Sequence, residues 1–138
     1  MGIYQIIINV KYIDMKALDT QIGGNHYKNM SMQPVELFAK TRCTAFQANI
    51  WKYIARYKYK NGAEDIKKCM HYAELAIELN CNGNLGYKRM GVVNSFCTNN
   101  SEFLSAAQRR IILHAGWDNY ESVIKECKEL LCKEYPEK

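Results

Sequence analysis

The stretch Ala45–Leu79, AFQANIWKYIARYKYKNGAEDIKKCMHYAELAIEL, reads as two amphipathic helices joined by a tight turn. At 3.6 residues per turn, Phe46, Ile50, Tyr53, Ile54 and Tyr57 fall on one side and form the apolar stripe of the first helix. Asn49, Lys52, Arg56 and Lys60 line up beside that stripe at steps of three and four, so one edge presents an amide and three cations. Lys60-Asn61-Gly62 ends the helix, with Gly62 suited to a left-handed cap. The second helix begins near Ala63. Its apolar stripe is Ile66, Cys69, Met70, Ala73 and Ile77, flanked by Asp65, Lys68 and Tyr72. A short turn makes the two helices antiparallel neighbours whose polar edges can face one cleft.

The whole chain, 138 residues, suits a single domain over 1–138, large enough to bury a core. There is no run of about 18 apolar residues, so no membrane-spanning helix is expected. The opening MGIYQIIINV lacks a basic leader and a small-residue cleavage site, which points to the cytoplasm. The formal charge is +5, and its distribution matters more than its size. Lys40–Lys68 holds eight Lys or Arg against two acids, whereas Trp117–Lys138 holds four Lys against six acids. The basic excess sits on the central helices and calls for an anionic partner, a nucleotide phosphate or a nucleic acid. The six cysteines show no CxxC spacing and read as reduced thiols, with Cys69 and Cys127 on apolar stripes.

Outward from the hairpin, Tyr4–Asp14 alternates like a strand, with Ile6, Ile8, Val10 and Tyr12 pointing one way. A strand must pair, and Met90–Cys97 is the candidate partner within the chain, with an oligomer interface as the alternative. Asp19–Gln33 is a polar loop containing Gly23-Gly24-Asn25-His26-Tyr27-Lys28, able to curl its amides around an anion. Pro34 opens a short helix to Lys40, and Thr44 caps the central helix. Asn80–Gly91 reads as an exposed loop. Asn99-Asn100-Ser101 caps a helix over Glu102–His114 that Gly116 stops, and Asp118 with Glu121 forms a capping box for a last helix ended by Pro136. No repeat is evident. The expected fold is mainly α within an α+β class: an antiparallel helical hairpin core, further helices over 92–138, and a small β element from the N-terminal strand. A homo-oligomer is expected, because the free edge strand must be covered.

No Walker-type GxxxxGK[ST] loop, GxGxxG, HExxH or nucleophile elbow occurs. Ala45–Lys60 carries no carboxylate, which argues against a paired-acid magnesium site on that helix. No metal site is expected. What remains suits phosphate and base. Lys52, Arg56, Lys60 and Lys68 can meet phosphate oxygens, Arg56 with a bidentate fork. Asn49 can read a base edge or ribose hydroxyl, and Tyr27, Tyr53 or Trp51 can stack on a base. Asp65 can fix Arg56 or accept a sugar hydroxyl, and His26 can serve as acid, base or phosphate donor. The plainer alternative is that Asn49, Arg56 and Asp65 tie the two helices together by buried hydrogen bonds.

GGNHYKNMSMQPVELF, from Gly23, followed by FQANIWKYIARYKYKNGAEDIKKCMHYAELAIEL, from Phe46, resembles the SaV-like family of small bacteriophage proteins. The family pattern is GG-[ND]-HY-K, then QP-[IV]-E, then G-N-V-x-K-Y-[IV]-x-R-x-x-x-K-[ND]-G-x-x-D-L-x-K-A, and the resemblance runs over about 22–79. Ala48 stands where the family usually has glycine and Cys69 where it has alanine, both small residues. Position by position, the resemblance points to His26, Tyr27, Gln33, Asn49, Lys52, Tyr53, Arg56, Lys60, Asp65 and Lys68. It implies a nucleotide-binding phage protein acting in the infected cell, similar to a deoxynucleoside monophosphate kinase that works without a Walker loop. ATP and Mg²⁺ would then be its co-reactants. The other reading is a non-enzymatic anti-defence protein that sequesters a nucleotide-derived host signal, such as a cyclic nucleotide or cyclic ADP-ribose derivative. That reading needs a basic, aromatic pocket and neither a general base nor a metal. Nucleic-acid binding is less favoured, since only one turn-spaced row of cations is present.

Overall fold

The computed structural model describes residues 17–22, 24 and 26–137. Six α-helices follow a short 3-10 turn at Ala17–Asp19: α1 Pro34–Thr41, α2 Ala45–Arg56, α3 Ala63–Glu78, α4 Gly86–Asn99, α5 Ala106–Gly116 and α6 Tyr120–Glu134. No helix among the described residues is long and apolar enough to cross a membrane.

The hairpin forms as its spacing requires. Gln47, Ile50, Trp51, Ile54 and Ala55 are the buried face of α2, and Asp65, Ile66, Cys69, Ala73 and Ala76 that of α3. Three contacts fix the two helices as antiparallel: Arg56 meets Asp65, Lys68 lies over the Tyr53 ring, and Tyr53 stacks on Tyr72. Thr44 caps α2 by accepting from the Gln47 N–H at 3.1 Å, and Pro34 opens α1. Gly62 has φ +55°, as expected of a turn glycine, but its ψ of −124° lies outside the left-handed helical region. A 3-10 turn at Tyr57–Tyr59 carries the chain round, and the Gly62 N–H donates to the Tyr57 carbonyl.

The α+β expectation is corrected. Every regular element among the described residues is helical, and Met90–Cys97, the expected partner strand, lies inside α4. Its buried residues, Met90, Val93, Phe96 and Cys97, follow a helical period of three to four, which prevails over the β-branched character of Val92-Val93. The strand over Tyr4–Asp14 falls outside the described residues. Three further boundaries move. The loop expected over Asn80–Gly91 gives way to α4 at Gly86. The fifth helix starts at Ala106, not Glu102, because Ser105 and Gln108 form the capping box. Asn100 is instead buried, accepting from the Ser31 N–H at 2.9 Å and donating to the Met32 carbonyl at 2.8 Å, which anchors the approach to α1. Asp118 does not cap α6. Its carboxylate accepts from the Gly83 N–H and the Tyr120 hydroxyl, tying the 80–85 loop to the α5–α6 turn.

Helices α2, α3, α6 and α5 pack in a closed ring, a four-helix bundle made of two hairpins, with α1 and α4 laid against α2 and α5. The second hairpin repeats the first. Shifted by 61 residues, the buried positions 47, 50, 51, 54 and 55 of α2 become Gln108, Ile111, Ile112, Ala115 and Gly116 of α5. Shifted by 54, Ile66, Cys69, Ala73 and Ala76 of α3 become Tyr120, Val123, Cys127 and Leu130 of α6. The polar contacts are reciprocal as well. Gln47, from the box Thr44-x-x-Gln47, donates to the carbonyl of Ala115 at 3.0 Å. Gln108, from Ser105-x-x-Gln108, donates to the carbonyl of Ile54 at 2.8 Å. Each glutamine caps its own helix with its oxygen and satisfies the end of the other helix with its nitrogen. The apolar face of the central hairpin is therefore covered by its own chain. Trp51 completes this interface, donating its indole N–H to the Ile112 carbonyl at 3.0 Å.

Candidate functional site

The polar edge of the first hairpin gathers most of the residues singled out in the sequence. Asp65 lies in the first turn of α3, where the helix dipole favours a carboxylate. Its side chain is fully buried and grips the Arg56 guanidinium twice, from Nε at 3.1 Å and from Nη2 at 3.3 Å. The Asn61 N–H also reaches Asp65 Oδ2 at 3.3 Å. Both carboxylate oxygens are thus committed, and Arg56, about one-fifth exposed, is held in one orientation. Burial alone would lower the Arg56 pKa, but the Asp65 hydrogen bonds and charge outweigh it and raise it.

One turn back on α2, the Tyr53 ring has three cations around it. Lys52 Nζ lies 4.5 Å from the ring centre, Arg56 Cζ 4.8 Å and Lys68 Nζ 5.5 Å. Tyr72 stacks on the same ring at 5.9 Å with 17° between planes. Lys68 also pairs with Glu64 at 3.7 Å, an exposed contact worth little.

The loop before α1 closes over the turn end of this edge. Gln21 Oε1 accepts from the Tyr27 N–H at 2.7 Å, while its Nε2 lies 3.0 Å from His26 Nδ1 and 3.4 Å from His26 Nε2. His26 stacks on Tyr59 at 5.8 Å and meets Tyr27 edge-on at 4.1 Å. Burial, then the charges of Lys60 and Arg56, depress the His26 pKa below its ordinary value. The Tyr27 hydroxyl is buried without a hydrogen-bond partner among the described residues. Burial pushes its pKa up to about 12, with the Arg56 charge pulling the other way and Asp65 adding to the rise.

His26, Tyr27, Lys52, Tyr53, Arg56, Lys60, Asp65 and Lys68 thus belong to one continuous cluster. Asn49 does not join it: its amide donates to the Ala45 carbonyl at 2.8 Å in its own helix. Gln33 serves the loop, donating to the Leu18 carbonyl. Of the expected helix tie, the Arg56–Asp65 half is present and the Asn49 half is not. Trp51 is buried in the bundle and stacks on no exposed surface. Three contributors escaped the sequence reading as site residues: Gln21, Tyr59 and Tyr72. Tyr72 was legible as a flank of α3, but its meeting with Tyr53 depends on the register between helices. Gln21 carries no local signal.

The second hairpin is an internal control. In place of Lys52, Tyr53 and Arg56 it has Leu113, His114 and Trp117, and in place of Lys68 and Tyr72 it has Ser122 and Glu126. His114 and Glu126 do meet, Nε2 to Oε2 at 3.4 Å, as Tyr53 and Tyr72 do in the first. The same architecture is therefore built without the cation cluster.

Residues 23–74 match the family model DUF3310, which is described as a protein of unknown function. The matched span takes in part of the loop, all of α1 and α2, and most of α3, and it stops before α4 and the second hairpin. Over that span the chain is similar to the family, whose description assigns no activity. No curated protein and no solved structure matches the chain.

Proposed function

We propose that this protein binds a phosphate-bearing small molecule, a nucleotide or a nucleotide-derived signal, on the cation-and-tyrosine edge of the α2–α3 hairpin. The observation that carries this reading is the internal control. Arg56 has a structural partner in Asp65, but packing two hairpins into this bundle does not call for Lys52 and Lys68 around the same tyrosine, since the second hairpin does without them. Asp65 offsets Arg56 and the exposed Glu64 lies near Lys68, but Lys52 brings a further positive charge to the same ring, and gathering like charges costs free energy unless an anion offsets it. Arg56 would present a fixed fork to phosphate oxygens, and Lys52 and Lys68 would add mobile charges. Tyr59, half exposed and stacked on His26, offers a ring face to a base.

Retention rather than turnover fits the geometry better. Asp65, the carboxylate at the centre, spends both oxygens on Arg56 and Asn61, so it holds Arg56 in place rather than abstracting a proton or holding Mg²⁺. The anti-defence reading, in which a host nucleotide signal is sequestered in the infected cell, follows from that difference together with the resemblance to phage proteins. Phosphoryl transfer from ATP to a deoxynucleoside monophosphate rests on the resemblance alone.

The test is mass spectrometry of small molecules released by heat from purified protein after incubation with a pool of nucleotides, ATP and cyclic signals. An intact ligand at about one per site, lost in Arg56→Ala, is expected. New nucleoside diphosphates appearing with ADP would replace sequestration by the kinase. An empty, unchanged pool would remove the proposal and turn attention to a macromolecular partner.

A further inference from the structure

Helix α5 opens on Ala106-Ala107, whereas the positions 61 residues earlier, at the start of α2, are Ala45-Phe46. Phe46 packs against the core, and the methyl group of Ala107 cannot fill the space that its ring takes. A hollow of about 400 Å³ remains between the start of α5 and the end of α6, with Ala106, Ala107 and Leu130 as its apolar wall. Three cations from three elements line the same hollow: Lys58 of the 3-10 turn, Arg110 of α5 and Lys133 of α6. Neither lysine makes an ion pair among the described residues. Arg110 gives its Nε to Glu126 at 2.6 Å, and its two Nη groups make no hydrogen bond among the described residues. Glu134, the acid in the lining, accepts from the Tyr57 hydroxyl at 2.7 Å. Counting Glu126 and Glu134 together, the cations still outnumber the acids.

We propose that this hollow is a second ligand site, which takes a small organic anion: a phosphate or carboxylate group among Lys58, Arg110 and Lys133, and an apolar body against the alanine and leucine wall. The packing of the bundle does not require this combination. In the first hairpin the position of Arg110 is held by Asn49 and that of Lys133 by Leu79, and the α5–α6 turn, Trp117-Asp118-Asn119, supplies no cation. The cations and the missing aromatic ring thus occur together in one hairpin and are both absent from the other. An oxyanion would offset the excess charge, with Arg110 able to meet two of its oxygens and the lysines adding mobile charge. The volume exceeds what a bare inorganic ion fills and suits a small molecule with an apolar part. The hollow shares no residue with the Tyr53 cluster, so the proposal does not rest on the nucleotide reading.

The experiment is a ¹H–¹⁵N correlation titration of the ¹⁵N-labelled full chain with phenyl phosphate, benzoate and phenol, three probes that share one ring. Saturable shifts of the Ala106–Arg110 and Lys133 amides are expected with at least one of the two anions, and none with phenol at the same concentration. The tighter anion names the head group. Two sets of changes then remove the site by different routes. Ala107→Phe gives the hollow the side chain that its counterpart in α2 has, and should abolish the shifts. The double variant Lys58→Met, Lys133→Met should weaken binding about tenfold or more, the loss expected for hydrogen bonds to charged groups. Arg56→Ala should leave the shifts as they are. No saturable shift with either anion, phenol acting as well as the anions, or shifts that survive Ala107→Phe in a folded protein would overturn the proposal. Shifts lost with Arg56→Ala would place the anion at the Tyr53 cluster and overturn it equally. If Ala107→Phe does not fold, the double lysine variant decides, and unchanged binding there overturns the proposal.

Discussion

Asp65→Asn removes the charge of a buried carboxylate without changing its shape, and its effect follows from the geometry. The wild-type side chain is fully buried and accepts three hydrogen bonds, two of them from the Arg56 guanidinium. The amide can keep one acceptor, but whichever way it is turned its NH₂ faces a guanidinium N–H, and in one orientation the Asn61 N–H as well. Breaking a buried ion pair by removing one partner costs about 3–5 kcal/mol. Arg56 is about one-fifth exposed and can recover some hydration, so the loss should be about 2–4 kcal/mol. For a domain of this size that corresponds to a Tm lower by about 8–15 °C. Urea and thermal unfolding followed by circular dichroism, on wild type, Asp65→Asn, Arg56→Met and the double variant, measure both the loss and the coupling. The two single changes should be strongly non-additive, with a coupling of about 1–3 kcal/mol. A loss under about 1 kcal/mol, or additive variants, would show that the pair does not hold the hairpin turn. Retention of the proposed nucleotide ligand should fall with Asp65→Asn even well below its Tm, because Arg56 loses its fixed orientation.

Other outcomes follow from single sites. The His26 pKa is depressed in the folded protein, so the folded state takes up this proton less readily than the unfolded chain. Its contribution to stability is present above the ordinary value of 6.5 and is lost as pH falls from there through the folded pKa; subtracting the His26→Gln stability curve between pH 7 and 5 should isolate that slope. Gly83→Ala would place a Cβ 2.7 Å from Thr44 Cγ2 and 3.1 Å from Gln47 Oε1, and should cost about 1–3 kcal/mol in urea unfolding. Gly91→Ala, within α4 and with nothing near its added Cβ, should instead stabilise by about 0.5–1 kcal/mol. Trp51→Phe loses the bond to Ile112 and leaves a void in the bundle, and should cost about 2–3 kcal/mol with little effect on ligand retention.

The repeated hairpin changes how the chain is understood. Its two halves share few identities beyond Thr44-x-x-Gln47 and Ser105-x-x-Gln108, so the repeat lies in which positions are buried and not in which residues occupy them. Cys69 and Cys127 illustrate this. Neither occupies the position equivalent to the other, yet they meet in the core with sulfurs 3.7 Å apart. Burial and the Cys127 thiol hold the Cys69 pKa well above its ordinary value, which suits inert core thiols.

By itself the sequence determined the local features. The central hairpin, the Thr44 cap, Pro34 at the head of α1 and the cationic edge of α2 all follow from residues within a turn or two of one another. Periodicity and capping are decided at that range. The same short range misled at Met90–Cys97, expected as the partner strand, where helical burial prevailed. Tertiary structure alone decided the rest. It set Lys68 and Tyr72 against Tyr53, buried Asp65 under Arg56, gave His26 its partner in Gln21, and paired each hairpin's glutamine with the other's last turn. Those contacts depend on the register and packing between separate segments. One segment's periodicity can mark which face is turned inward, but the residue that meets that face belongs to another part of the chain.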